Sequence, residues 1–199
     1  MMAGRLFAMV AAATLVAGPA SAQVDTALAR PVTQVYGTLS QNDVAIRLRS
    51  DELDVRFVPL DNRILAVLAR DAAESLRGLL ASRRTAIDSA ARQNGVAAPG
   101  LALVGFFAQR DGVRFDPQLL TVTANGRVLR PLAVVPLSPR FGSHQLDLRE
   151  QVMGLFLYED LIPVDAVFEV SYESQISREW ERRLPVLERE RARMAARTR

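Results

Sequence analysis

The stretch Thr121-Val122-Thr123-Ala124-Asn125-Gly126-Arg127-Val128-Leu129-Arg130 decides how this chain is read. A two-residue hairpin turn needs positive φ at both central positions, and Asn-Gly meets that need at little steric cost. Thr121 and Thr123 on one side, with Val128 and Arg130 on the other, complete the pattern of two alternating strands. The stretch predicts an antiparallel hairpin.

The same character continues on both sides. Short runs rich in β-branched or aromatic residues lie at 101–109, 119–124, 127–135, 145–149, 155–158 and 166–172, with Asp111-Gly112 as a second sharp turn signal. Pro117, Pro131, Pro136, Pro139 and Pro163 fall at strand ends or edges, where a missing N–H is tolerated. Strands at this spacing predict a small antiparallel β-sandwich of immunoglobulin-like type over 100–175. The paired cysteines of antibody domains are absent. The stretch 115–172 resembles exported bacterial immunoglobulin-like modules at Phe115-Asp116-Pro117, Asn125-Gly126 and Gly154-Leu155-Phe156. That resemblance implies a fold and carries over no site.

Upstream, the apolar period changes twice. Ile46 and Leu48 interleave with arginines, and Leu53, Val55 and Phe57 interleave with Asp54 and Arg56. Period two with one apolar face predicts half-buried strand, and Ser50-Asp51-Glu52 predicts the turn of a hairpin. Pro59 ends the strand, and Asp61 or Asn62 can cap a helix. From 64 to 94, Leu65, Leu68, Ala72, Leu76, Leu79, Leu80, Ile87 and Ala91 fall mostly on one helical stripe, stopped by Asn94-Gly95. A continuous helix of that length would reach about 45 Å, so a break is expected near Gly78 or Ser82-Arg83. The stripe is read as core, with a partner-binding face as the other reading.

Downstream, Ser177 is a credible N-cap, with Glu179 and Glu181 in the first turn and Arg193 and Arg197 near the end. Trp180, Leu184, Leu187 and Met194 form a narrow apolar seam, and Pro185 predicts a kink or two short helices. The seam docks on the chain itself, or it mediates association with a partner protein or a second copy.

At the other end, Arg5 precedes an apolar run, and Ala20-Ser21-Ala22 places small residues before Gln23. Positive, apolar and small-x-small segments in that order predict a signal peptide cleaved after Ala22, and so an exported protein, periplasmic or extracellular. The apolar run is too short to span a bilayer, and no later run approaches the roughly 20 residues a membrane helix needs. The whole is therefore read as α+β. Residues 1–22 are a leader, 23–44 a loosely ordered lead-in, and 45–96 a hairpin plus long amphipathic helix. The sandwich follows at 100–175, then a charged C-terminal helix at 176–199.

Composition narrows the chemistry. The sequence holds no cysteine, which excludes disulfides, thiol nucleophiles, thiolate zinc sites and iron–sulfur clusters. All 25 basic residues are arginine, so Schiff-base and P-loop lysine chemistry are excluded too. Residues 177–199 carry eight arginines and four glutamates, and the chain from 23 to 176 carries sixteen arginines against eighteen acids. The basic balance belongs to the tail. A salt-bridged helix face and a contact with an anionic surface both fit it.

The single histidine, His144, follows Ser143 and precedes Asp147, so a triad can be lined up on paper. Triad members normally meet from distant segments, and no Gly-x-Ser-x-Gly elbow is present. Glu159, Asp160 and Asp165 share a loop but do not alternate as calcium ligands do. Basic residues interleaved with aromatics, as nucleic-acid binding would need, are missing from the tail. No catalytic, metal or cofactor residue is nominated. The expectation is an exported, non-catalytic binding or structural module of the bacterial cell envelope. The alternative is a secreted hydrolase using loop carboxylates or Ser143/His144.

Overall fold

In the computed structural model, which describes residues 35–197, the alternating stretch after residue 45 forms strands β1 (Ile46–Arg49) and β2 (Leu53–Pro59). They pair antiparallel with Arg49 opposite Asp54. Ser50 fixes the turn: its hydroxyl accepts from the N–H of Leu53 at 2.9 Å, and its own N–H donates to the Leu53 carbonyl at 3.0 Å. The leader expected at 1–22 and the lead-in up to residue 34 lie outside the described residues.

Asp61 caps helix α1 (Asn62–Val67), its carboxylate accepting from the Arg63 N–H at 2.8 Å. One helix was expected from 64 to 94, broken near Gly78 or Ser82. Instead α1 stops at Leu68, which is extended, and α2 (Arg70–Gln93) begins after Ala69 and runs unbroken through Gly78. The cause is tertiary. The N–H groups of Gly37 and Leu39 donate to the carbonyls of Ala66 and Val67, both at 3.2 Å, and Ala69 donates to Leu39 at 2.8 Å. Carbonyls that would continue the helix ladder serve a second segment instead. The same bonds hold residues 37–39, read from sequence as part of a loosely ordered lead-in, in one place.

Beyond Asn94 and Gly95 (φ 68°), the chain forms β3 (Gly100–Ala108), β4 (Val113–Arg114), β5 (Thr121–Ala124), β6 (Arg127–Leu129) and β7 (Pro131–Pro136). Then come β8 (Gln145–Leu146), β9 (Gln151–Tyr158), β10 (Glu169–Tyr172) and β11 (Gln175–Ser177). Asn125 and Gly126 take φ of 50° and 75° between the paired residues Ala124 and Arg127, the turn the sequence predicts. The run expected as one strand from 127 to 135 divides after Leu129. Pro131 has no N–H to continue a ladder, and the halves join different sheets. Two residues only are paired in the run expected at 145–149, and Arg149 adopts φ 61°. Ser177 belongs to a strand, although its hydroxyl still accepts from the Glu179 N–H at 3.4 Å.

The result is a mixed α+β structure with antiparallel sheets and a C-terminal helix. One sheet has the order β1-β2-β3-β9-β7, a second β11-β10-β5-β6, and β4-β8 form a small ladder. Val55, Phe57, Val104, Phe106, Val152, Phe156 and Tyr158 of the first sheet share one buried core with Val122, Val170 and Tyr172 of the second. Phe106 is its centre, stacked on Phe115 at 4.7 Å and edge-on to Tyr172 at 5.6 Å.

The Tyr158 hydroxyl lies in this core without a hydrogen-bond partner among the described residues, and burial pushes its ionisation far above the ordinary tyrosine range. An unpaired buried hydroxyl costs free energy that its removal restores. Tyr158→Phe is therefore expected to raise stability by about 1 kcal/mol, measured as a higher urea midpoint with an unchanged slope. A lower midpoint would show that the hydroxyl has a partner.

Helix α3 (Glu179–Arg197) returns along α1 and β1. Trp180 and Leu187 are fully buried, with Leu184 and Met194 packed at the margin. The seam thus docks within the chain. The helix continues through Pro185 as one element, although the proline offers no N–H to its ladder. Charges tie this end of the chain to the body: Arg178, just before the helix, pairs with Glu169 at 2.6 Å, and Arg191 of the helix with Asp165 at 2.7 Å. Glu190, 2% exposed, accepts from the Thr38 N–H at 2.8 Å, the Thr38 hydroxyl at 3.0 Å and Arg193 at 2.6 Å. Among the described residues no helix is long and apolar enough to cross a membrane.

Candidate functional site

Ser143, His144 and Asp147 stay close in sequence but do not converge. The Ser143 hydroxyl lies 2.7 and 2.9 Å from the carbonyls of Arg140 and Gln145. The Asp147 carboxylate accepts from the Arg140 guanidinium at 2.7 Å, and His144 (φ 55°) lays its ring on Phe115 at 5.5 Å. Among the described residues no hydrogen bond joins the three side chains. The loop acids are separated as well. Glu159 and Asp160 pair with Arg127 at 3.5 and 2.8 Å, while Asp165 holds Arg63 and Arg191.

A different group is assembled by strand register. On the outward side of the five-stranded sheet, Arg47 lies opposite Arg56, and Arg49 opposite Asp54. The next strand places Gly105 beside Arg56 and Phe107 beside Asp54, and the one after it places Met153 and Gln151 in the same rows. Helix α2 covers the other half of this face, where Leu103, Leu155, Leu157 and Val135 are buried in a common cluster with Leu76, Ile87 and Ala91. It does not reach the arginine half. Arg47, Arg49, Asp54, Val55, Arg56, Gly105, Phe107 and Gln151 therefore line an open recess of about 140 Å³.

Two of the three arginines here are oriented by neutral groups. Arg56 donates to the side-chain oxygen of Gln41 at 3.2 Å, and Arg47 to that of Asn42 at 3.3 Å. Among the described residues no carboxylate lies within 4 Å of any of the three guanidinium groups, whereas Arg63, Arg127, Arg140 and Arg191 each have at least one. The one acid among the described residues that line the recess, Asp54, is held by the Gln109 amide at 3.0 Å. Burial, and then the charge of Arg47, hold Arg56 below the ordinary arginine range, and its Nε is buried without a partner among the described residues. Like charges directly opposite on antiparallel strands repel, so this arrangement is unfavourable on its own.

The open edge of the sheet beside this face is closed. The Arg47 N–H donates to the Glu179 carboxylate at 3.2 Å, and Arg183 donates to the Ala45 carbonyl at 3.4 Å. Strand addition at β1 is blocked by these contacts, so the face itself is what β1 leaves accessible.

In the sequence alone the alternating arginines are the polar side of a hairpin and nothing more. Phe107 and Gln151 were missed, since only the β2–β3–β9 register brings them to Arg49 and Arg56. Gly105 is the one signal within the sequence: a glycine inside an apolar strand marks a close approach. A Cβ there would sit 3.1 Å from the Gln151 Nε2. No known family, curated protein or solved structure matches this chain.

Proposed function

We propose that this chain is an exported, non-catalytic binding module of the bacterial cell envelope, acting through the open half of its five-stranded sheet. The observation that carries the reading is the group of three arginines, two of them positioned by amide oxygens and all without a carboxylate partner among the described residues, around a half-buried aromatic ring. The leader-like first 22 residues support export, and the absence of cysteine suits a fold held by apolar packing and ion pairs. The two antiparallel sheets, joined through Phe106 and Tyr172, are read as a sandwich of immunoglobulin-like type, a fold that presents binding surfaces on its faces and loops. Partner contact or self-association through α3 falls to its charged side, because Trp180 and Leu187 are already covered.

The test uses the chain from residue 23 onward, sedimented with isolated cell-wall sacculi and with outer-membrane vesicles. Binding to one of them is expected, together with its loss in Arg49→Gln/Arg56→Gln at an unchanged melting temperature. Equal binding by parent and variant removes this face from the function. Turnover of an ester, peptide or glycoside that disappears in His144→Ala would replace the binding module by the hydrolase.

A further inference from the structure

We infer that the recess between Arg47, Arg56 and Phe107 receives a carboxylate borne on an apolar body, such as the terminal acid group of an envelope molecule. The inference rests on reading this face as a binding surface and adds the chemistry of the occupant. Three features select it. The positive groups are all guanidinium, whose planar fork matches the two oxygens of a carboxylate. Gln41 and Asn42 fix two of these forks through neutral oxygens, so orientation is supplied while the charge stays uncompensated. A ligand carboxylate would offset the repulsion between the opposed Arg47 and Arg56, since neither guanidinium pairs with a carboxylate among the described residues.

The floor then separates carboxylate from phosphate. Gly105 carries no side chain, Phe107 adds apolar surface, and the volume of about 140 Å³ admits a terminal group and not a whole drug-sized ligand. Ligand pockets that swallow such molecules are typically about 300 Å³ or more. An apolar body attached to the acid gains contact with Phe107, while inorganic phosphate gains none. Asp54 marks the limit of the site, since its own charge repels any anion that slides toward the turn end of the hairpin.

The probes are benzoate, benzamide as its neutral counterpart, and inorganic phosphate, each titrated at fixed ionic strength into the chain from residue 23 onward and followed by amide chemical shifts. Saturable shifts at Arg56, Gly105 and Phe107 are expected with benzoate, at least about tenfold tighter than with phosphate and absent with benzamide. Arg56→Gln is expected to weaken benzoate about tenfold, Arg56→Lys to restore little of it because the fork is lost, and Phe107→Leu to weaken it a few-fold. Phosphate binding as tightly as benzoate, or benzoate binding indifferent to Arg56→Gln, overturns the inference. The two readings fail separately. Sacculus or vesicle binding that depends on Arg49 and Arg56 without any benzoate affinity overturns the carboxylate alone. Benzoate binding through Arg56 in a chain that ignores sacculi and vesicles keeps the recess and overturns the envelope function.

Discussion

Trp180→Ala is expected to destabilise the protein by about 3–5 kcal/mol, the range for deleting a large buried aromatic side chain. Trp180 is fully buried near the start of α3, with its ring 4.7 Å from Phe168, which in turn meets Phe57 edge-on at 6.5 Å. The side chain therefore joins the C-terminal helix to the core shared by both sheets. For a domain of this size the loss corresponds to a melting temperature lower by roughly 10 °C, measured by circular dichroism because the only tryptophan is gone. Trp180→Phe separates packing from polarity. The Trp180 Nε1 is buried with no hydrogen-bond partner among the described residues, so phenylalanine removes an uncompensated donor while keeping most of the stack. Its net cost is expected to be about 1–2 kcal/mol, since the relieved desolvation partly offsets the smaller void. An alanine variant that melts with the parent would show that α3 does not dock through this ring.

The hairpins were legible because their signals are local. Alternation from Ile46 to Phe57 and the Asn125-Gly126 turn act over a few residues, and the strands form at those places. The helix break was not legible. Nothing between Asn62 and Gln93 demands a stop at Leu68, where propensity favours helix; the stop comes from Leu39, almost thirty residues earlier, pairing with Leu68. Arg127 to Val135 reads as one run because its apolar period is continuous. Its division depends on β5 and β9, which claim the two halves for separate sheets.

The candidate site divides the same way. Arg47, Arg49 and Arg56 are visible as one polar side of a hairpin. Their distinction from an ordinary wet face needs facts from elsewhere, namely where α2 ends its cover and which side chains orient the guanidinium groups. Ser143, His144 and Asp147 are the converse case, a constellation that adjacency offers and that the sequence alone does not nominate. Adjacency on paper suggested a constellation, and the left-handed backbone at His144 with the Arg140–Asp147 pair disperses it.

The same substitution at two glycines is expected to act with opposite sign, and the contrast tests the least legible part of the fold. A Cβ built at Gly37 falls 1.9 Å from the Val67 carbonyl oxygen and 2.3 Å from its carbon. Both atoms are backbone, so no rotamer change can make room. Gly37→Ala must push residues 37–39 off the junction of α1 and α2. That displaces the donors from Gly37 and Leu39 and draws Thr38 away from the buried Glu190 carboxylate. A loss of about 3 kcal/mol is expected, the scale for breaking a buried hydrogen-bonded network. Amide exchange should accelerate first at Leu39 and Ala69, whose acceptors are the carbonyls of Val67 and Leu39. Gly78, inside α2, has nothing within 4 Å of a built Cβ. Gly78→Ala is expected to gain about 0.5–1 kcal/mol, because alanine gives up less backbone freedom in a helix than glycine does. Should Gly37→Ala unfold at the parent's urea midpoint with Leu39 still protected, the segment is not packed against Val67. The break after Val67 would then need a cause within the helix sequence itself.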